Sequence, residues 1–249
     1  MTSERGPAGA DRRAELARNL AAVRARAAAA CAAAGREAGE ITLIAVTKTR
    51  PAADAVALAD LGLADFGENR DQEAAPKAAE VAAAPVTWHF IGQLQTNKAQ
   101  SVARYASVVH SVDRIRLVRA LGSASRAATA TATATAAPAG LTCLVQVSLD
   151  GDSARGGALI SQLPDVAAAI EAEGGLTLGG VMAVAPLGVA PDTAFASLRA
   201  ISDIARAINP AATIISAGMS GDLEAAVRNG ATHLRIGTAL LGNRSLPVL

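Results

Sequence analysis

Short β-type runs recur along the chain at 41–46, 64–67, 86–91, 107–112, 141–149, 178–184, 213–216 and 232–236, and each is followed by a helix-type segment. Alternating βα units imply parallel strands covered by helices. Eight units with no switch in order favour a closed barrel over an open doubly wound sheet, the second choice. The length of 249 residues suits that closure, since about 250 is typical of a (β/α)8 barrel. The expectation is a single α/β domain over 1–249, a (β/α)8 TIM barrel preceded by an N-terminal helix over 11–34 whose basic residues form a solvated face. Residues 1–10 are expected to be disordered. The Ala/Thr tract 127–139 reads as a mobile, function-free low-complexity insertion, because threonine weakens helix and alanine weakens strand.

Aromatic residues make up only 2% of the chain, so Leu, Ile and Val must fill the core, with the single tryptophan, Trp88, in a packing role. A formal net charge of +1 and no clustered basic face speak against nucleic acid as a partner. Cys31 and Cys143 match no metal or disulfide spacing and read as small buried residues in a reducing compartment. Neither a signal-type apolar region nor a stretch approaching the roughly 20 apolar residues of a membrane span is present. A soluble, cytoplasmic, monomeric protein is expected.

The chemistry starts with a scarcity. Of 23 basic residues only three are lysine. Lys77 and Lys98 lie in helix-like polar segments, but Lys48 follows directly on the apolar run that ends Ala45-Val46-Thr47. Pro51 behind it fits a first helical position, which puts Lys48 on a βα turn, and such turns build the active face of a barrel. An amine at the end of a buried strand is suited to forming a Schiff base with an aldehyde or ketone. Near the C-terminus, Ser216-Ala217-Gly218-Met219-Ser220-Gly221-Asp222 and Arg235-Ile236-Gly237-Thr238 follow the last two strand runs. Loops there often bind phosphate, because glycine lets backbone N–H groups approach an anion. The plainer alternative is that Ser220 caps the helix starting near Asp222 and Gly237 makes a turn. His89, His110 and His233 share no ligand spacing with one another or with a carboxylate cluster, so they read as structural, and no metal site is expected.

Five motifs, Ala45-Val46-Thr47-Lys48, Phe66-Gly67-Glu68-Asn69, the string from His89-Phe90-Ile91-Gly92-Gln93 to Asn97-Lys98, Gly218-Met219-Ser220 and Arg235-Ile236-Gly237-Thr238, resemble in order those of the YggS/PROSC family of pyridoxal-phosphate homeostasis proteins. The resemblance runs from about Ile41 to Arg244. It implies the barrel of the type III pyridoxal-phosphate fold, the N-terminal domain kind of alanine racemase, without the racemases' second, β-rich domain. It also implies pyridoxal 5′-phosphate held as an aldimine on Lys48. Ser216, Gly218, Met219, Ser220, Gly237 and Thr238 match the phosphate cradle, Asn69 matches a residue beside the cofactor, and Arg235 matches the arginine facing the pyridine nitrogen. His89 belongs to a family motif and so helps shape the pocket. The chain departs from the family at Arg70-Asp71, where a rim change is expected, and at Arg155, where the family often has lysine.

Arg235 bears on the mechanism. A strong electron sink needs a protonated pyridine nitrogen, and an arginine donating to that nitrogen discourages protonation. Racemisation on this fold also takes a tyrosine from the absent second domain, whereas the sole tyrosine, Tyr105, sits in a helical stretch over 99–106 with its hydroxyl expected to be wet. No catalytic residue is assigned. The function implied is intracellular cofactor homeostasis, by buffering the cofactor or delivering it to pyridoxal-phosphate-dependent apoenzymes. The alternatives are a weak pyridoxal-phosphate-dependent amino-acid racemase and a lysine Schiff-base aldolase.

Overall fold

A computed structural model describes residues 7–131, 140–152 and 156–242. All of the expected strands form: β1 (Thr42–Val46), β2 (Asp65–Glu68), β3 (Thr87–Phe90), β4 (Val108–Val112), β5 (Leu141–Gln146), β6 (Leu176–Met182), β7 (Ile214–Ser216) and β8 (His233–Ile236). Every neighbouring pair is parallel, and β8 pairs with β1 through Thr42↔His233 and Ala45↔Ile236, which closes the barrel in sequence order. The helices are α1 (Pro7–Ala33), α2 (Ala52–Asp60), α3 (Asp71–Glu80), α4 (Ala99–Val102), α5 (Ile115–Thr131), α6 (Leu163–Ala172), α7 (Pro191–Ile208), α8 (Leu223–Arg228) and α9 (Thr238–Leu241).

Outward-facing strand residues such as Ala45, Phe66, Trp88, Val109 and Cys143 share one buried layer with the helices. Trp88 packs against Phe66 with ring centroids 5.6 Å apart. Within the barrel, Val108, Leu144, Met182 and Ile214 form a separate apolar plug.

Several boundaries differ from expectation. β5 stops at Gln146; Val147 still donates to Met182 O at 2.9 Å and bridges Ala158. Pro51 is the N-cap of α2, one residue before the helix. α1 begins at Pro7 and takes in residues expected to be disordered, as proline tolerates a helix's first turn; residues 1–6 lie outside the described region. α5 runs on through Ala127–Thr131, overriding the start of the low-complexity tract. Alanine's helix preference carries it there, with the Thr129 hydroxyl donating back to Ser125 O at 3.0 Å. Residues 132–139 are outside the described region.

The basic residues of α1 are not simply solvated. Its apolar stripe of Leu16, Leu20, Val23, Ala27 and Cys31 is buried at the spacing of one helix face. Its arginines then reach across the barrel's seam. Arg12 donates to Asp54 of α2 and to Leu241 O of α9, and Arg26 grips Glu224 of α8 with Nε and Nη2. Asn19 adds a bond to Leu240 O. α1 thus ties α2 to α8 and α9 outside the β8–β1 closure.

Candidate functional site

The chain leaves β1 at Val46 and turns sharply with Lys48 half-buried at its apex. Thr47 on one side is fully buried: its hydroxyl donates to Glu68 Oε1 at 2.7 Å, and the Lys77 ammonium donates to its carbonyl at 2.8 Å. Lys77 also pairs with Glu68, so a lysine expected on a polar helix face is in fact part of a buried ion pair beneath Lys48. Thr49 on the other side has φ 63°, a left-handed conformation that disfavours a β-branched residue. The turn holds it there: the Thr49 N–H donates to Glu73 Oε2 at 2.9 Å and the Arg50 N–H donates to Thr47 O at 3.0 Å. Backbone strain of this kind clusters where a side chain must be presented in one direction.

Asn69 comes directly off the end of β2. A side chain at Gly92 would place its Cβ 2.1 Å from Asn69 O, so only glycine lets the two loops pack this closely. The Asn69 side-chain oxygen Oδ1 is buried without a hydrogen-bond partner. A buried acceptor left open costs about 1–3 kcal/mol, a cost that a bound donor removes.

The two C-terminal turns interlock. Gly218 has φ 90°, and a Cβ there would sit 2.6 Å from Ala226 Cβ. Its carbonyl accepts from Arg235 N at 2.9 Å. Met219 is exposed and its N–H donates to Asp222 Oδ1 at 2.5 Å. Ser220 is not the cap of α8, where Asp222 takes the N-cap position; its hydroxyl oxygen instead accepts from Ala239 N at 3.1 Å, joining the β7 turn to the start of α9. Gly237 is the N-cap of α9, and Thr238 is exposed at its first position. With α9 a single turn long, an anion here would meet local N–H groups and no summed helix dipole.

Ser216 differs from expectation. It is the last residue of β7, faces the barrel interior, and its Oγ accepts from Arg235 Nη1 at 2.7 Å and lies 2.9 Å from His110 Nδ1. Its hydroxyl is committed to holding Arg235 and does not project into the turn. Arg235 also donates to Ala183 O at 2.9 Å, and among the described residues it forms no ion pair. Burial pushes its pKa down to about 10. Such a cation lacks the contact ion pair that a buried charge normally takes, with the Asp222 carboxylate acting on it only at a distance.

The histidines, unrelated by spacing, are brought together inside the barrel. His89 Nδ1 lies 2.9 Å from His110 Nε2, and the His233 ring stands 6.2 and 6.5 Å from the other two. Burial drives His110 well below the usual imidazole range and His233 down to about 4, with the neighbouring charges secondary. Their period-two placement in β3, β4 and β8 was the available sequence signal, each being inward-facing if its strand closes a barrel. Tyr105 lies past the end of α4, half-buried, and its hydroxyl donates to Asp71 Oδ1 at 3.4 Å; burial raises its pKa. Lys98 reaches the same Asp71 at 3.8 Å. Among the described residues no metal-type cluster of His, Cys, Asp and Glu occurs and no helix is long and apolar enough to cross a membrane. Arg155 and Arg244 lie outside the described residues.

Lys48, Asn69, Gly218–Ser220 and Gly237–Thr238 therefore follow β1, β2, β7 and β8, four strands contiguous in the closed barrel, and all emerge at the same end. The family model described as alanine racemase, N-terminal domain, matches residues 14–245. The pyridoxal phosphate homeostasis protein of Mycobacterium bovis is 46% identical, with 95% of each chain covered, and that of Escherichia coli K12 is 34% identical, with 92% of this chain and 97% of that one covered. PipY of Synechococcus elongatus, solved with pyridoxal phosphate bound, superposes with TM-score 0.74 at 31% identity over 91% of this chain and 100% of that one. Alanine racemase from Corynebacterium glutamicum shares the fold at TM-score 0.66 and 14% identity, with 92% of this chain matching 60% of that one. The chain belongs to the alanine racemase N-terminal domain family, among the pyridoxal phosphate homeostasis proteins.

Proposed function

We propose that this protein binds pyridoxal 5′-phosphate covalently through the Lys48 amine and serves its homeostasis, holding the cofactor and giving it up to apoenzymes without robust catalysis of its own. One observation carries the reading: Lys48 and two glycine turns emerge from neighbouring strand ends around a buried Arg235 that has no contact ion pair among the described residues. The residues suit the group. The turns at Gly218, Ser220 and Gly237–Thr238 offer backbone N–H groups and the Thr238 hydroxyl to a phosphate, Arg235 offers a donor to a pyridine nitrogen, and Asn69 Oδ1 has no partner within the protein. The bound cofactor supplies an aldehyde and a conjugated ring able to delocalise charge. Ser216 and the barrel wall aim Arg235, and the strained Thr47–Arg50 turn presents the amine. Every group comes from one chain, which suits a monomer.

Two features favour carriage over turnover. An arginine at the ring nitrogen leaves that nitrogen unprotonated and the electron sink weak. Tyr105, bound to Asp71, is not available as a second acid–base partner.

The purified protein should be yellow, and borohydride reduction followed by peptide mass spectrometry should put the pyridoxyl adduct on Lys48. An adduct on Lys77 or Lys98 would sink the assignment. Loaded protein mixed with a cofactor-free aminotransferase should restore its activity even with a trap for free cofactor present. Strong alanine racemisation that vanishes in Lys48→Ala would replace the carrier reading with an enzyme.

A further inference from the structure

Barrel interiors are ordinarily filled by branched apolar side chains, yet beside the apolar plug a line of polar contacts crosses this one from end to end. Asp65, the first residue of β2, lies at the end opposite Lys48. Its Oδ1 is 2.9 Å from His89 Nε2. His89 Nδ1 is 2.9 Å from His110 Nε2, His110 Nδ1 is 2.9 Å from Ser216 Oγ, and Arg235 Nη1 is 2.7 Å from that same oxygen. Four of the five groups are buried, and the Asp65 side chain is 24% exposed.

With both imidazoles neutral, the two ends of the line dictate its direction. An ionised carboxylate only accepts hydrogen bonds and a guanidinium only donates them. His89 therefore gives its Nε2–H to Asp65, which leaves its Nδ1 as an acceptor. His110 fills that acceptor with its own Nε2–H, and its Nδ1 becomes an acceptor in turn. The Ser216 hydroxyl donates to His110 Nδ1, and its lone pairs remain for Arg235. One assignment satisfies all four contacts with both imidazoles neutral, in keeping with burial, which disfavours a charged His110.

We propose that Asp65, His89 and His110 are positioning residues for Arg235, a one-way hydrogen-bond relay through which a carboxylate at the far end of the barrel fixes Ser216 as the acceptor that aims the guanidinium at the cofactor's ring nitrogen. The relay deepens the function proposed above and rests on it at one point, the orientation of Arg235 toward the pyridine ring. It gives the buried cation a counter-charge delivered through neutral dipoles, without a contact ion pair that would draw the guanidinium away from the site. It also explains why a barrel interior carries histidines at all: an imidazole accepts at one nitrogen and donates at the other, so it passes hydrogen-bond direction on in a way no apolar filler does.

The test has two arms. In cofactor-free protein with 15N-labelled histidine, long-range 1H–15N correlation at neutral pH should show His89 and His110 both neutral and both as the Nε2–H tautomer. A Nδ1–H tautomer or an imidazolium at either residue overturns the relay. In loaded protein, Asp65→Asn should shift the absorption band of the bound cofactor, Asp65→Glu should restore it, and Thr87→Ser, inward-facing on β3 and outside the relay, should leave it in place. A band unmoved in Asp65→Asn, or moved equally by Thr87→Ser, overturns the positioning role. Should wild-type protein show no cofactor band, the reading of the site fails, and the tautomer arm still decides the relay.

Discussion

At the scale of single residues, this barrel keeps costly titratable groups in its interior. His233 is half-buried, and desolvation takes its pKa down to about 4, below the 6.5 of the free side chain. Between those values the unfolded chain binds more protons than the folded one, so stability rises with pH through that window. The contribution is fully present above about 6.5 and lost as pH falls through 4; for His233 it amounts to about 3 kcal/mol, with His110 acting in the same direction. Denaturant midpoints at pH 7 and pH 4.5 should show this loss, and His233→Gln should reduce it; an identical loss in that variant would remove His233 as a cause. The Lys77–Glu68 pair makes a second demand. Lys77→Met should destabilise by about 3–5 kcal/mol, because it strands a fully buried carboxylate whose Oε2 already lacks a partner. Lys77→Met with Glu68→Gln should recover part of that in urea titration, and a double variant no better than the single would argue against stranded charge. The position of Lys48 was legible from the sequence because a lone amine follows an apolar strand, whereas nothing local to Lys77 shows that its helix turns it under the neighbouring strand end.

At the scale of elements, strands were easier to read than their surroundings. Each βα unit carries its own apolar run, so β1 to β8 appear close to where periodicity puts them. The grouping of the histidines and the contacts of α1 were not legible because their partners lie far away in sequence. α1 read as a helix with a wet basic face, yet Leu16 and Leu20 are buried and Arg12 and Arg26 hold α2 and α8. Leu20→Ala should cost about 2–5 kcal/mol, measurable as a lower urea midpoint, and a change within about 0.5 kcal/mol, the range of an ordinary surface substitution, would mean that α1 is dispensable to the barrel. Gly92→Ala tests a loop contact: its Cβ would collide with Asn69 O, so the β2 loop must shift and cofactor affinity, titrated into apoprotein, should fall more than thermal stability does. Unchanged affinity would show that the placement of Asn69 is not needed.

At the scale of the whole molecule, closure of β8 onto β1 joins sequence-distant residues into one site and removes exposed sheet edges. Trp88, the one tryptophan, lies buried between β3 and the helical layer. Its fluorescence and the far-ultraviolet circular dichroism should therefore change together in a single denaturant transition; separated midpoints would show that part of the barrel opens on its own. The sequence by itself determined the strand count, the barrel class, the family and the place of Lys48 at the end of β1, since periodicity, short motifs and a strand-ending lysine are local properties of the chain. Tertiary structure alone decided that Ser216 serves Arg235, that Lys77 lies under the Lys48 turn, and that Asp65, His89 and His110 form one line. The reason is physical: hydrogen-bond partners across a closed barrel are chosen by inter-strand register and side-chain direction, and neither is written into the residues between them.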